Sequence, residues 1–154
     1  MTPVSSLLFL DFDGVLHPNR SDPSQHFVHL PRFESVLREF TNVSVVISST
    51  WQDAYSLGAL RRRFSQDITA RIIGGTRSAD PDCEVETRYE QIKLFLRHVG
   101  RSAESWVALD DAEDEFPARC PQLILCDSQR AFDCEAEQCL RERLLCNPVV
   151  SPKC

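Results

Sequence analysis

The sequence predicts an α/β fold, a three-layer α/β/α Rossmann-like sandwich built around a five-stranded parallel sheet. Five short apolar runs recur along the 154 residues, and segments with helical spacing of apolar residues separate them. The apolar runs are continuous rather than alternating, which is typical of strands covered on both faces. This alternation of strands and helices favours right-handed βαβ crossovers and a doubly wound sheet.

The predicted strands each end near Asp, Ser, Gly or Pro. They are Leu7 to Leu10, Val43 to Ile47, Arg71 to Ile73, Trp106 to Leu109, and Leu123 to Cys126. We expect the spatial order 3-2-1-4-5, in which the first and fourth strands are neighbours at the point where the order reverses. Ligands of open parallel sheets bind beyond the carboxyl ends of the strands at this point.

Apolar residues at helical spacing predict four helices. Their markers are Phe33, Val36, Leu37 and Phe40 after Pro31; Leu57, Leu60 and Phe64; Ile92, Leu96 and Val99 before Gly100; and a last segment from about Phe132 to Leu145. Pro at the start and Gly at the end of such segments are ordinary helix signals. Two polar stretches, Pro18 to Leu30 and Thr76 to Glu86, predict surface loops.

Composition narrows the class of protein. With 42% hydrophobic residues the chain can bury one core, and we expect residues 1–154 to form a single domain. No apolar stretch approaches the roughly 18 residues that span a bilayer, so we expect no membrane partner and a cytoplasmic protein. A net charge of −6 argues against wrapping duplex nucleic acid over a large surface, although a local basic patch could still bind a phosphate.

Acidic residues follow two of the predicted strands. Asp11 and Asp13 end the first strand and Asp110-Asp111 ends the fourth. Two such charges about 4 Å apart repel by about 4 kcal/mol at an effective dielectric constant near 20, so a cation must lie among them. A hard divalent cation with oxygen ligands, Mg²⁺, is favoured over zinc, because the seven cysteines form no C-x-x-C pair and only His17 adjoins the motifs.

The strings LFLDFDGVL, VVISSTW and WVALDD resemble the motifs of the haloacid dehalogenase-like (HAD) superfamily. Residues 45 to 52 and 87 to 115 further resemble small capless members that include phosphatase-like domains attached to RNA repair proteins. The resemblance implies a Mg²⁺-dependent phosphomonoesterase that works through an aspartyl phosphate. Only about thirty residues separate Asp13 from the second strand, which leaves no room for a cap domain. An open crevice implies a large phosphorylated substrate, either a nucleic acid end or a phosphoprotein.

The resemblance also implies roles for individual residues. Asp11 would be the nucleophile and Asp13 the general acid and base. Gly14 would let the chain turn sharply beside the substrate. Arg88 would be the cation that faces the phosphoryl group, with Lys93 as the alternative.

A small hydroxyl after the second strand would hydrogen-bond a phosphoryl oxygen. Ser49 fits this position best, with Ser48 and Thr50 as competitors; Thr50 also suits a helix N-cap. The magnesium would be held by Asp110 and Asp111, with Asp111 as the direct ligand, together with the Asp11 side chain and the Asp13 backbone carbonyl. Asp114 and Glu115 either bind the ion through water or are simply solvated.

Other functions stay open on the sequence alone. The chain could bind phosphorylated ends without processing them, or it could transfer the phosphoryl group to an acceptor other than water. Trp51 and His17 flank the crevice and could stack on a base, although packing is the simpler role for Trp51. The basic run Arg61 to Arg63 fits a solvated helix end.

Overall fold

A computed structural model of the protein describes residues 6–78, 84–85, 87–101 and 105–146. The strands are β1 (Ser6–Leu10), β2 (Val43–Ile47), β3 (Ile72–Gly75), β4 (Trp106–Asp110) and β5 (Leu123–Leu125). They form one sheet in the order β3-β2-β1-β4-β5, and every neighbouring pair is parallel. The predicted α/β class and the strand order 3-2-1-4-5 are therefore confirmed.

Within the described residues, five helices accompany the sheet: α1 (Leu30–Glu39), α2 (Leu57–Arg61), α3 (Gln66–Thr69), α4 (Arg88–His98) and α5 (Cys134–Leu145). The prediction that one helix runs from Leu57 through Phe64 is wrong. The chain turns after α2, and α3 begins behind Ser65. The buried carboxylate of Glu34 on α1 accepts hydrogen bonds from the Ser65 N–H at 2.7 Å and from its hydroxyl at 2.6 Å. This tertiary contact fixes the start of α3.

The sheet lies between two helical layers because its side chains alternate in direction. One set, which includes Leu8, Leu10, Val45 and Leu109, packs in a core with residues of α1, α2, α3 and α5. The opposite set, which includes Phe9 and Trp106, packs against α4. Right-handed connections place the crossovers that run in one direction along the sheet on one face. The crossover that runs back in the opposite direction lies on the other face.

The stretch Pro18 to Leu30 is not wholly a surface loop. It holds a short 3₁₀ turn at Pro23–Gln25, and Leu30 is a buried residue of α1. The ring of Phe27 packs edge-on against Phe12 with centroids 5.4 Å apart. In the second stretch, Thr76–Ser78 form a 3₁₀ turn, while residues 79–83 and 86 lie outside the described residues. The part of the chain that the structure describes contains no cap domain, as predicted.

Arg71, just before β3, ties the end of α1 to the start of β2. Its guanidinium donates hydrogen bonds to the carbonyl oxygens of Phe40 at 2.6 Å and Val43 at 2.8 Å, and also to that of Leu37. Partial burial lowers the pKa of Arg71, because desolvation disfavours the charged form. The carbonyl groups at the helix end offset this cost, since cations are favourable there.

Arg71→Met is expected to lower the free energy of unfolding by about 2–3 kcal/mol, because it keeps the length of the side chain but leaves three carbonyl groups without their charged donor. Urea denaturation measures the effect. The matched control is Arg62→Met, since Arg62 is exposed and its loss should change the free energy by no more than about 0.5 kcal/mol. Equal unfolding midpoints for the two variants would contradict the assigned role.

Candidate active site and metal centre

Three carboxylates meet where β1 and β4 end. Asp11 follows the last residue of β1, Asp110 is the last residue of β4, and Asp111 comes next. One oxygen of each carboxylate lies within 4.8 Å of the others. Asp11 and Asp110 are buried, and Asp111 is half-buried. We call these three residues the acidic triad.

Arg88 places a positive charge against the acidic triad. One guanidinium nitrogen lies 3.0 Å from Asp11 Oδ2 and 2.7 Å from Asp110 Oδ2. Arg88 is the first residue of α4, which starts with a capping box between Thr87 and Glu90. The cap fixes the helix start, so the guanidinium reaches the strand ends from a defined position.

The alternative cation, Lys93, lines a different surface pocket with Glu90 and Arg97. Glu115, for which a water-mediated contact with the ion is one of two predictions, has a different partner in the structure. Its carboxylate accepts a hydrogen bond from the Arg88 N–H at 2.9 Å. Asp114 is exposed.

The electrostatics of the triad reflect burial and crowding. Burial raises the pKa of Asp11 well above its ordinary value, repulsion from Asp110 and Asp111 adds to this, and Arg88 opposes it. Burial also raises the pKa of Asp110. Burial disfavours the charged form of Arg88, but the two carboxylates outweigh it and raise the pKa of Arg88. If all three carboxyl groups were ionised, the single guanidinium would leave two negative charges uncompensated.

This arrangement fits a hard divalent cation. All three side chains offer oxygen ligands, their oxygens are close enough to share one ion, and the excess charge equals that of a divalent cation. The triad could therefore hold a metal ion.

Gly14 brings the backbone against the triad. Its φ is +77°, and a Cβ placed there would lie 2.1 Å from Asp111 Oδ2. A side chain would therefore suffer backbone strain and displace the Asp111 carboxylate. This explains why a glycine follows the second aspartate of the first motif.

Asp13 lies apart from the triad in an aromatic setting. Its carboxylate accepts a 2.7 Å hydrogen bond from His17 Nε2 and 3.1 Å bonds from the indole N–H of Trp51. The Phe27 N–H donates to His17 Nδ1 at 3.2 Å, so the ring proton is on Nε2 and points at Asp13. The hydrogen bond from His17, followed by that from Trp51, lowers the pKa of Asp13 despite partial burial.

The hydroxyl groups after β2 have different surroundings. The Ser48 N–H donates to the Leu10 carbonyl at 2.8 Å, so Ser48 continues the ladder beside Asp11. Phe9 and Val46 lie on the α4 face of the sheet, and Ser48 and Asp11 follow them by two residues, which places both side chains on that face. The Ser48 hydroxyl is buried and has no hydrogen-bond partner among the described residues.

Ser49 already has a structural partner. Its hydroxyl accepts a hydrogen bond from the Trp51 N–H at 3.2 Å and caps the 3₁₀ turn Thr50–Asp53. Thr50 is exposed and lines a pocket beside Asp13. The roles of Ser49 and Thr50 as phosphate ligands therefore stay predictions, and Ser48 is the hydroxyl whose surroundings suit a ligand.

Sequence reasoning did not find the contacts that position Asp13. The sequence suggests base stacking for His17 and Trp51, or packing for Trp51, but does not indicate that both donate hydrogen bonds to this carboxylate. The His17 pairing depends on the tight loop after Gly14, where the Gly14 N–H donates to the His17 carbonyl at 2.8 Å. The four-residue spacing alone carries no such signal outside a helix.

A parallel sheet in this order, with a carboxylate cluster at the ends of its first and fourth strands, defines a HAD-like domain. A family model described as the HAD domain in Swiss Army Knife RNA repair proteins matches residues 7–136. Because this match covers more than half of the 154 residues, the chain belongs to that family. The resemblance to HAD domains of RNA repair proteins is thereby confirmed. No curated protein and no solved structure matches the chain.

The lengths and compositions of the helices bear on the expectation that the protein has no membrane partner. Among the described residues, no helix combines the length and the apolar character that crossing a bilayer requires.

Gly14→Ala is expected to weaken the binding of a divalent cation at least tenfold, because the added methyl group displaces the Asp111 carboxylate. Isothermal titration with MgCl₂ measures the affinity, and urea denaturation measures the stability. Gly100→Ala is the matched control, since Gly100 also has a positive φ of +69° but no atom of the described residues within 4 Å of the added Cβ. Both variants should lose about 1–2 kcal/mol through backbone strain. An equal cation affinity in the two would refute the contact argument.

Proposed function

We propose that the protein is a Mg²⁺-dependent phosphomonoesterase that works through an aspartyl phosphate and acts on the exposed phosphate of a large substrate. A nucleic acid end is favoured over a phosphoprotein. The main support is the environment of Asp11: a buried carboxylate, paired with Arg88 and flanked by two further carboxylates, with Asp13 held just outside. Membership in a family of RNA repair domains supports the nucleic acid end. We further propose that residues 1–154 act as one domain.

Asp11 and Asp13 have separate roles in the proposed reaction. A carboxylate oxygen of Asp11 attacks phosphorus, the bond between phosphorus and the leaving oxygen breaks, and Asp13 donates a proton to that oxygen. In the second half, Asp13 takes a proton from water, the water oxygen attacks phosphorus, and Asp11 leaves as the carboxylate. Inorganic phosphate is the second product.

The surrounding groups stabilise and orient the phosphoryl group. Arg88 offsets the charge that the transition state spreads over the phosphoryl oxygens. Gly14 permits close approach of the backbone, and we assign the phosphoryl hydrogen bond to the Ser48 hydroxyl rather than to Ser49. The side chains of Asp11, Asp110 and Asp111, with the Asp13 carbonyl, would hold the magnesium. When bound, the ion supplies positive charge to the phosphoryl oxygens.

Asp11→Asn is expected to abolish phosphate release from p-nitrophenyl phosphate and from end-phosphorylated RNA, because an amide cannot act as the nucleophile. The fold should persist, since the change removes a charge from a crowded buried cluster. Phosphate release is assayed with and without Mg²⁺, and circular dichroism checks the fold.

The control for this experiment is Glu113→Gln, an exposed acid in the turn after β4, which should retain the rate of the wild type. Turnover by the Asn variant would rule out the aspartyl phosphate. Binding of phosphorylated ends by a wild-type protein that shows no turnover would favour a binding module. Transfer to added alcohols would identify a phosphotransferase.

Ser48→Ala and Ser49→Ala should have opposite effects on stability and unequal effects on rate. Ser48→Ala should lower kcat/KM at least tenfold and raise the free energy of unfolding by up to about 1 kcal/mol, because it removes an unpaired buried hydroxyl. Ser49→Ala should cost about 1 kcal/mol of stability, because it removes a cap, and lower the rate less. Steady-state kinetics and urea denaturation test both. A larger rate loss in Ser49→Ala would return the phosphoryl contact to Ser49.

A further inference from the structure

A pocket of about 620 Å³ opens beside Asp13, and its lining includes no residue of the triad. The Asp13 carboxylate forms part of its wall. The other groups that matter are four aromatic rings and one guanidinium, from His26, Phe27, Trp51, Tyr55 and Arg63. We call this site the aromatic pocket. Trp51 also positions Asp13, but the roles proposed above give the side chains of His26, Phe27, Tyr55 and Arg63 no part in the reaction.

The rings of the aromatic pocket form a stacking surface. Trp51 and Tyr55 stack with centroids 5.4 Å apart and planes 26° apart, and Tyr55 is 44% exposed. His26 meets the Trp51 ring nearly edge-on at 5.3 Å. Phe27 packs against Trp51 at 5.3 Å from the buried side. Flat exposed rings supported from beneath are what a nucleobase stacks on.

Arg63 brings positive charge to the same rings. Its guanidinium carbon lies 5.5 Å from the centroid of Phe27, 5.9 Å from that of Tyr55 and 6.0 Å from that of Trp51. Among the described residues Arg63 has no carboxylate partner, whereas other exposed arginines such as Arg38 form ion pairs. In a chain of net charge −6, an arginine left beside aromatic rings is suited to a phosphate of the ligand.

The position of Asp13 fixes which part of a substrate reaches this pocket. A group that protonates the leaving oxygen must touch that oxygen, so the atoms bonded to it extend from Asp13 and not from the triad. The phosphoryl group would lie over Asp11 and Arg88, and the leaving group would enter the aromatic pocket.

We propose that the aromatic pocket is the leaving-group subsite and that it takes the terminal nucleoside of a phosphorylated polynucleotide. The base stacks on Tyr55 and Trp51, and Arg63 binds the next phosphodiester. This inference rests on the proposed function, since it takes the reacting phosphate to lie at Asp11. A phosphotyrosyl peptide offers a ring to stack but no second phosphate for Arg63, so the nucleic acid is the better match.

The binding test uses Asp11→Asn protein with MgCl₂, which holds substrate without turnover. The ligands are hexanucleotide RNAs with a 3′ or a 5′ phosphate, each labelled at the opposite end, and the same RNAs with an abasic terminal residue. Fluorescence anisotropy should show affinity about tenfold lower for the abasic ligand of the preferred polarity, the typical effect of one base stacked on an aromatic side chain.

Variants locate the contact. Tyr55→Ala and Arg63→Gln, each combined with Asp11→Asn, should weaken binding of the intact RNA at least fivefold, and Tyr55→Ala should remove most of the difference between intact and abasic ligands. Arg62→Gln is the matched control, since it deletes the same charge from the neighbouring exposed residue and should bind RNA like the parent protein.

The outcomes separate the two proposals. Discrimination against the abasic ligand, together with a wild-type protein that hydrolyses no phosphate, would support binding of the terminal nucleoside in the aromatic pocket but overturn both the phosphomonoesterase and the leaving-group role. Hydrolysis of p-nitrophenyl phosphate with equal affinity for intact and abasic RNA would overturn the subsite and leave the phosphomonoesterase standing. Tighter binding of a phosphotyrosyl peptide, or an equal effect of Arg62→Gln and Arg63→Gln, would also overturn the subsite.

Discussion

The main constraint on the site is the concentration of negative charge where β1 and β4 end. The other residues of the site compensate for this charge. Asp11 and Asp110 are buried near each other and near Asp111, and burying like charges together is unfavourable unless positive charge joins them. Arg88 supplies one such charge, and it is held there by the capped start of α4 and by Glu115. The helix on this face of the sheet thus serves the site as well as the core. The charge that Arg88 leaves uncompensated is why the triad suits a divalent cation.

Two carboxylates one residue apart are driven in opposite directions by their surroundings. Burial raises the pKa of Asp11, while hydrogen bonds from His17 and Trp51 lower that of Asp13. Such divergence is consistent with the separate roles that we propose for the two groups. Positive charge within the triad would favour the carboxylate of Asp11, and a phosphoryl group nearby would favour the protonated form of Asp13. Each carboxyl group would then take the state that its proposed role needs.

The sequence was informative where a local pattern determines the structure. Continuous apolar runs located the five strands, and the D-x-D-G motif placed Asp11 and Gly14 at the end of the first. What it missed depends on contacts distant along the chain. The Trp51 indole reaches Asp13 across 38 residues, and Glu34 ends the helical run after α2 by binding Ser65. Ser48 and Ser49 could not be separated by composition, because only the register of β2 against β1 shows which hydroxyl shares a face with Asp11.

The exposure of the carboxylate side chains increases from Asp11 to Asp13. The Asp11 side chain is 4% exposed and that of Asp13 is 42% exposed. In the proposed reaction, a phosphoryl group would enter past Asp13, over the rings that hold this carboxylate in place. The described residues contain no cap domain, so in the proposed reaction the substrate itself would have to help exclude water from the crevice. A small phosphate would leave the crevice wet. A substrate that covers Trp51 and Tyr55 would close it, which makes the rim beside Asp13 the natural place for this fold to discriminate among phosphate esters.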